Sequence, residues 1–165
     1  MDMKQAIASI NRSTDLFVEQ TRQLSEAALH WKPAEDKWSV QEVACHLEEV
    51  VPYWLNEVET LLRSPGAEWG RGLQHEGRLA AVANAGNRPI DEVLQNLTSY
   101  KADVEKVLAN VTQQQLQVVS PSRNPRFGTK PLSFVIEHLL VEHLETHVKQ
   151  IQRNIAQFQE TQAGA

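Results

Sequence analysis

The residues best suited to chemistry in this chain are histidines. In the run Glu137-His138-Leu139-Leu140-Val141-Glu142-His143-Leu144-Glu145-Thr146-His147, two of them, His143 and His147, stand four positions apart. On a helix each residue turns the chain by about 100°, so these imidazoles lie about 40° apart on adjacent turns and can reach one ion. Both share a face with Ile136, Leu140, Ile151, Ile155 and Phe158. That face points inward, where unpaired imidazoles are costly to desolvate. Such a pair reads equally as two hydrogen-bonded core histidines, and a third ligand is needed to decide. His46, beside Val43 and Val50 at the edge of a second apolar stripe, supplies it if the two helices touch. Three neutral imidazoles leave positions open for water or substrate, the pattern of a catalytic rather than a structural metal site.

Other side chains follow from the same wheel. Tyr53 is seven residues after His46, and Gln150 seven after His143, so each falls within about 20° of its histidine. Both are pocket candidates, although Tyr53 equally suits packing and Gln150 solvent. Glu49, one turn after His46, reads as a surface acid. Cys45 projects about 100° from His46 and reads as a packing thiol. His138 lies about 140° from His143 and about 180° from His147 on a uniform helix, so it is expected to face solvent. His30 and His75 receive no role, and Trp31 and Trp38 are expected to close one end of the core.

The elements that must position these residues are helical. Met3, Ile7, Ile10, Phe17, Leu24 and Ala28 recur at helical spacing and predict a first helix from Met3 to about Ala28. Ser39 followed by Glu42 predicts a capping box. It opens a second helix whose stripe runs from Val40 to Leu62 and stops before Ser64-Pro65-Gly66. Pro52 lies inside it, removes the backbone bond to the Glu48 carbonyl and predicts a kink. Residues 64 to 88 hold five of the seven glycines and predict a long connection, with a short helix around Leu73 to Asn84. Pro89 with Asp91 and Glu92 opens a third helix carrying Ile90, Val93, Leu94, Leu97, Val104, Leu108 and Val111. Three prolines between Ser120 and Pro131 mark a second long connection, and a fourth helix runs from about Leu132 to Phe158. Four amphipathic helices without strand patterning specify an all-α bundle, one domain over residues 1–165.

Composition narrows the function. The net charge is −5 and the sixteen Lys and Arg are scattered, so no patch suits a phosphate backbone and nucleic acid is excluded as a partner. With a single cysteine the chain cannot close an internal disulfide or build a thiolate-rich zinc site, so a metal must rely on His and carboxylates. The N-terminal residues pattern as a helix without a continuous apolar stretch, so no membrane contact and a cytoplasmic location are expected.

The stretch Trp38-Ser39-Val40-Gln41-Glu42-Val43-Ala44-Cys45-His46-Leu47, together with His143-Leu144-Glu145-Thr146-His147-Val148-Lys149-Gln150-Ile151, resembles the DinB-like superfamily over essentially the whole chain. That superfamily includes metal-dependent hydrolases related to bacillithiol and mycothiol transferases. The resemblance implies a four-helix bundle with an unusual crossover, often a homodimer, and His46, His143 and His147 as ligands of one divalent metal: zinc, nickel, manganese or iron. Apolar positions such as Val18, Leu55 and Val118 could support a two-fold interface. Three functions compete: a metal-dependent enzyme adding a low-molecular-weight thiol cosubstrate to a small electrophile, a hydrolase using metal-activated water with Tyr53 or an acid assisting, and a non-enzymatic stress-associated bundle.

Overall fold

The computed structural model describes residues 1–164. Its frame is four long helical segments: α1 (Met3–Arg22), α3 (Val40–Arg63), α5 (Ile90–Leu108), and a C-terminal segment made of α7 (Leu132–Ile136), a π turn (Glu137–Val141) and α8 (Glu142–Ala163). Between them lie α2 (Glu26–His30), α4 (Glu76–Ala83), a 3-10 turn (Ala85–Asn87) and α6 (Gln113–Leu116). Both α1 and α3 pack against α5 and α8. The first two long helices are therefore diagonal partners, and α3 is free to face α8 directly. Phe17, Val40, Val58, Val93, Leu108, Val135, Ile136 and Ile151 are among the residues fully buried on the shared axis.

The first helix ends earlier than its apolar stripe suggests. The Thr21 carbonyl accepts backbone N–H groups from Gln23 and Leu24, and Ser25 caps a new helix through its hydroxyl, which accepts from Ala28 N at 3.2 Å. A serine that offers its own acceptor competes with continuation of the helix. The capping box at Ser39 is present: Glu42 N donates to Ser39 Oγ at 3.1 Å and Ser39 N to Glu42 Oε1 at 2.9 Å. Pro52 leaves α3 as one continuous element. The Glu48 carbonyl it deprives of a backbone partner instead accepts the Tyr100 hydroxyl of α5 at 3.0 Å.

The second connection contains structure that the sequence pattern does not show. Strands β1 (Val119–Pro121) and β2 (Thr129–Pro131) pair antiparallel, with Ser120 opposite Lys130. Three residues are too few for alternation to register, and the prolines occupy strand ends, where a missing N–H is tolerated. Val18 and Leu55, expected on an interface, are core residues at 6% and 4% exposure, whereas Val118 and Val119 are exposed. Among the described residues no helix is long and apolar enough to cross a membrane.

Candidate metal centre

His46 is delivered by the first turns of α3. Gln41, fully buried, ties that end of the helix to the turn before α5 by donating to the carbonyls of Ala85 at 3.0 Å and Arg88 at 2.8 Å. His143 and His147 come from α8, immediately after the π turn, in which Glu142 N–H bonds the Glu137 carbonyl five residues back. A π turn is a local widening often found at functional sites. Here the Leu139 carbonyl, inside it, accepts from His143 Nδ1 at 3.3 Å.

One ring nitrogen from each of His46, His143 and His147 lies within 4.8 Å of the other two. The Nε2 atoms of His46 and His143 are 3.4 Å apart. Nitrogens about 2.0–2.1 Å from a tetrahedral ion lie about 3.3 Å from one another, so this pair has a ligand-like separation. His147 Nδ1 donates to Gln150 Oε1 at 2.7 Å. Because the Leu139 and Gln150 oxygens can only accept, the Nδ1 atoms of His143 and His147 carry the protons, and their Nε2 atoms present lone pairs. Burial lowers the pKa of His46 to about 2, helped by the neighbouring His147 and His143. Burial likewise lowers His143 to about 3, and it lowers His147. All three rings are therefore neutral near pH 7, the state a metal requires.

Trp38 covers the triad. Its ring centroid is 5.0 Å from that of His46 and 6.5 Å from that of His147, and its carbonyl is held by Asn154 Nδ2 at 2.8 Å. Trp38 is thus a packing partner of the triad as well as of the core. Trp31 packs edge-on against Phe158 at the periphery.

Above the triad opens a cavity of about 420 Å³, within the usual range for a small-molecule site. Its apolar lining includes Val50, Trp54, Phe127 and Leu139, and its polar rim includes Arg71, Arg78, Asn124, Arg126, His138 and Glu142. His138 therefore borders the site instead of pointing away from it. The cause is the π turn. Five residues per hydrogen-bonded turn rotate the chain by less than 100° each, which brings His138 round toward the side of His143. Its Nδ1 lies 3.4 Å from Glu142 Oε2.

Two other expectations are revised. Glu49 is a partly buried partner of Arg71, which donates from Nη1 to Oε2 at 2.9 Å and from Nη2 to Oε1. Tyr53 does not line the cavity. Its ring lies 3.7 Å below the Arg71 guanidinium, and its hydroxyl donates to Glu57 Oε1 at 3.1 Å. Burial and the Glu57 charge push the Tyr53 pKa up, so it stays a protonated phenol. Cys45 is buried, and burial followed by the Glu48 charge raises its pKa to about 11.

Arg71, Arg78 and Arg126 lie in the two connections, outside the four long apolar stripes that carry the helical phase. Connection length is the signal that was available, since long loops in a compact domain commonly serve function. Arg71 is set by Gly70, whose φ of +85° suits glycine and whose position leaves an added Cβ 3.3 Å from Ser122 Oγ. Gly70 N donates to Glu57 Oε1 at 2.7 Å, and Trp69 Nε1 to the Ser120 carbonyl at 2.9 Å. These bonds stitch the first connection to α3 and the hairpin.

The fold is similar to that of YfiT from Bacillus subtilis, described as a probable metal-dependent hydrolase with an unusual four-helix bundle topology. The match has a TM-score of 0.82 at 13% identity, covering 94% of this chain and 87% of that one. Among curated proteins none matches the chain in sequence. A family model described as the DinB superfamily matches residues 9–151, a span that holds the His46 segment and both histidines of α8, and the chain belongs to the DinB superfamily.

Proposed function

We propose that the chain is a metal-dependent enzyme whose His46, His143 and His147 hold one divalent transition metal and whose cavity joins a low-molecular-weight thiol to a small electrophile. The observation that supports this reading most is the convergence of three neutral imidazole nitrogens at the floor of a cavity. When bound, such an ion supplies a Lewis acid that lowers the pKa of a thiol or water. Gln150 fixes the tautomer of His147, and the Leu139 carbonyl that of His143, as partners of metal-binding histidines do. His138, paired with Glu142 at the rim, is placed to take the thiol proton. The sulfur then forms its bond to the electrophilic carbon, and the leaving group departs with the electron pair and that proton. A thiol with an ordinary pKa of about 8.5 needs little help to ionise, which suits a floor without a carboxylate base.

Hydrolysis is the second reading, favoured by the same His138–Glu142 pair acting as a general base on water and by the description of YfiT. The test is metal analysis of untagged protein, followed by turnover of a chromogenic aryl halide with glutathione, bacillithiol or mycothiol and of ester substrates without thiol. Thiol-dependent turnover that a chelator abolishes and added metal restores is the expected result. Metal in fewer than about a tenth of chains after reconstitution, against the full occupancy of a three-His site, overturns the metal reading. Metal-dependent ester cleavage without thiol transfer selects the second.

A further inference from the structure

The walls of the cavity carry positive charge that the triad itself does not use. Arg71 is neutralised by Glu49. Arg78 is not: its guanidinium donates to the Leu73 carbonyl at 3.1 Å, lies 5.4 Å from the centroid of the Trp38 ring, and has no carboxylate within ion-pair distance among the described residues. Trp38 in turn lies 5.0 Å from His46, so the indole bridges the guanidinium to the triad. Arg126, from the other connection, reaches the same cavity and sits 5.7 Å from the ring centroid of Phe127, again with no carboxylate partner among the described residues. Glu142 is the one acid among the lining residues, against three arginines, and its Oε2 lies 3.4 Å from His138 Nδ1.

A guanidinium held over an aromatic face keeps its planar fork available for an anion, and carboxylates match that fork with two parallel hydrogen bonds. Two such groups enter one cavity from opposite connections, with the apolar surface of Trp54 and Leu139 in the same cavity. A ligand that satisfies all of these has a charged end, a short apolar body and a reactive end.

We propose that the cavity selects small organic carboxylates, with Arg78 as the principal anion-binding residue and Arg126 as its assistant, so that the opposite end of the ligand reaches the histidine triad. This deepens the proposed function and rests on it for the reacting end, whereas the anion end stands on the arginines alone. The ligand class is a metabolite-sized molecule in which one carboxylate is separated by a few apolar atoms from the group that reacts.

The test is isothermal titration of metal-loaded and metal-free protein with succinate, its uncharged counterpart succinamide, and inorganic phosphate. Wild type, Arg78→Gln, Arg78→Lys and Arg126→Gln are compared, and metal content is measured on each. Wild type is expected to bind succinate at least about tenfold more tightly than succinamide, the scale of a charge-assisted hydrogen-bonded pair. Arg78→Gln should bring the two within about threefold without changing metal content, Arg78→Lys should keep part of the preference, and Arg126→Gln should weaken it less. Equal binding of the two probes by wild type, or a preference that survives Arg78→Gln, overturns the proposal, the second result assigning the selectivity to the metal's own charge. Tighter binding of phosphate than of succinate overturns the carboxylate assignment. A carboxylate preference in protein that loads no metal would sink the metal reading and leave the anion site standing.

Discussion

The Nε2 atoms of His46 and His143 lie 3.4 Å apart although 97 positions separate the two residues in the chain. Two lone pairs at that distance repel unless a proton or a cation stands between them. Replacing any one of His46, His143 or His147 with alanine should therefore weaken metal binding on the order of a hundredfold or more. His138→Ala should leave metal content within a few per cent of wild type, since its ring is not one of the three converging groups. Chelator competition on the four variants measures this. Comparable metal loss from His138→Ala would show that the site is drawn wrongly.

Gln150 acts on metal affinity through His147. Its side-chain oxygen accepts from Nδ1 at 2.7 Å, so Gln150→Leu removes the acceptor while keeping similar bulk. The expected loss is about ten- to a hundredfold in metal affinity, with Gln150→Glu recovering most of it. An unchanged affinity in Gln150→Leu would reduce the contact to incidental packing.

Acid should destabilise the metal-free protein through its histidines. Burial lowers the pKa of His46 to about 2 and of His143 to about 3, below the ordinary imidazole value of 6.5. The unfolded chain takes up protons below pH 6.5 that the folded chain refuses, so stability is complete above that value and falls as pH drops toward about 3. Thermal melts of metal-free protein across this range should show a steeper decline for wild type than for His143→Gln. Parallel curves would mean that the imidazoles are not held neutral by the fold.

Tyr100 compensates for Pro52. Proline cannot donate to the Glu48 carbonyl, and the Tyr100 hydroxyl does so from α5. Tyr100→Phe should cost about 1 kcal/mol, and the cost should shrink in a Pro52→Ala background, where a backbone N–H can return to that carbonyl. Denaturant melts of the double-mutant cycle check it. Additive losses would mean that the Tyr100 hydroxyl contributes independently of the carbonyl that Pro52 leaves free.

The bundle and the triad were legible in the sequence because both depend on helical phase. Val40, Val43 and Leu47 declare one buried face and Ile136, Leu140 and Ile151 another, and the histidines sit on or beside them. His138 was misplaced because a wheel with a uniform step has no place for a π turn, which depends on hydrogen bonding that no single residue type encodes. Glu49 was read as a surface acid because its partner, Arg71, lies 22 positions away in a connection. Only the fixing of that connection by Gly70 and Trp69 brings the two together. The hairpin at residues 119–131 escaped notice for want of length.

The π turn at Glu137–Val141 also divides the last helical segment into two parts that can vary separately. Its five-residue hydrogen-bonded turn takes up one residue more than an α turn, so deleting one residue within it would restore α-helical spacing and leave the helix on either side close to its present orientation. His143 and His147, beyond the turn, would keep their station opposite His46, while the residues of the turn itself, His138 among them, would shift relative to the rim. The extra residue thus works like the offset screw on an optical mount: the floor of the site is clamped to the bundle, and its entrance can be re-aimed by changing the length of the chain by one.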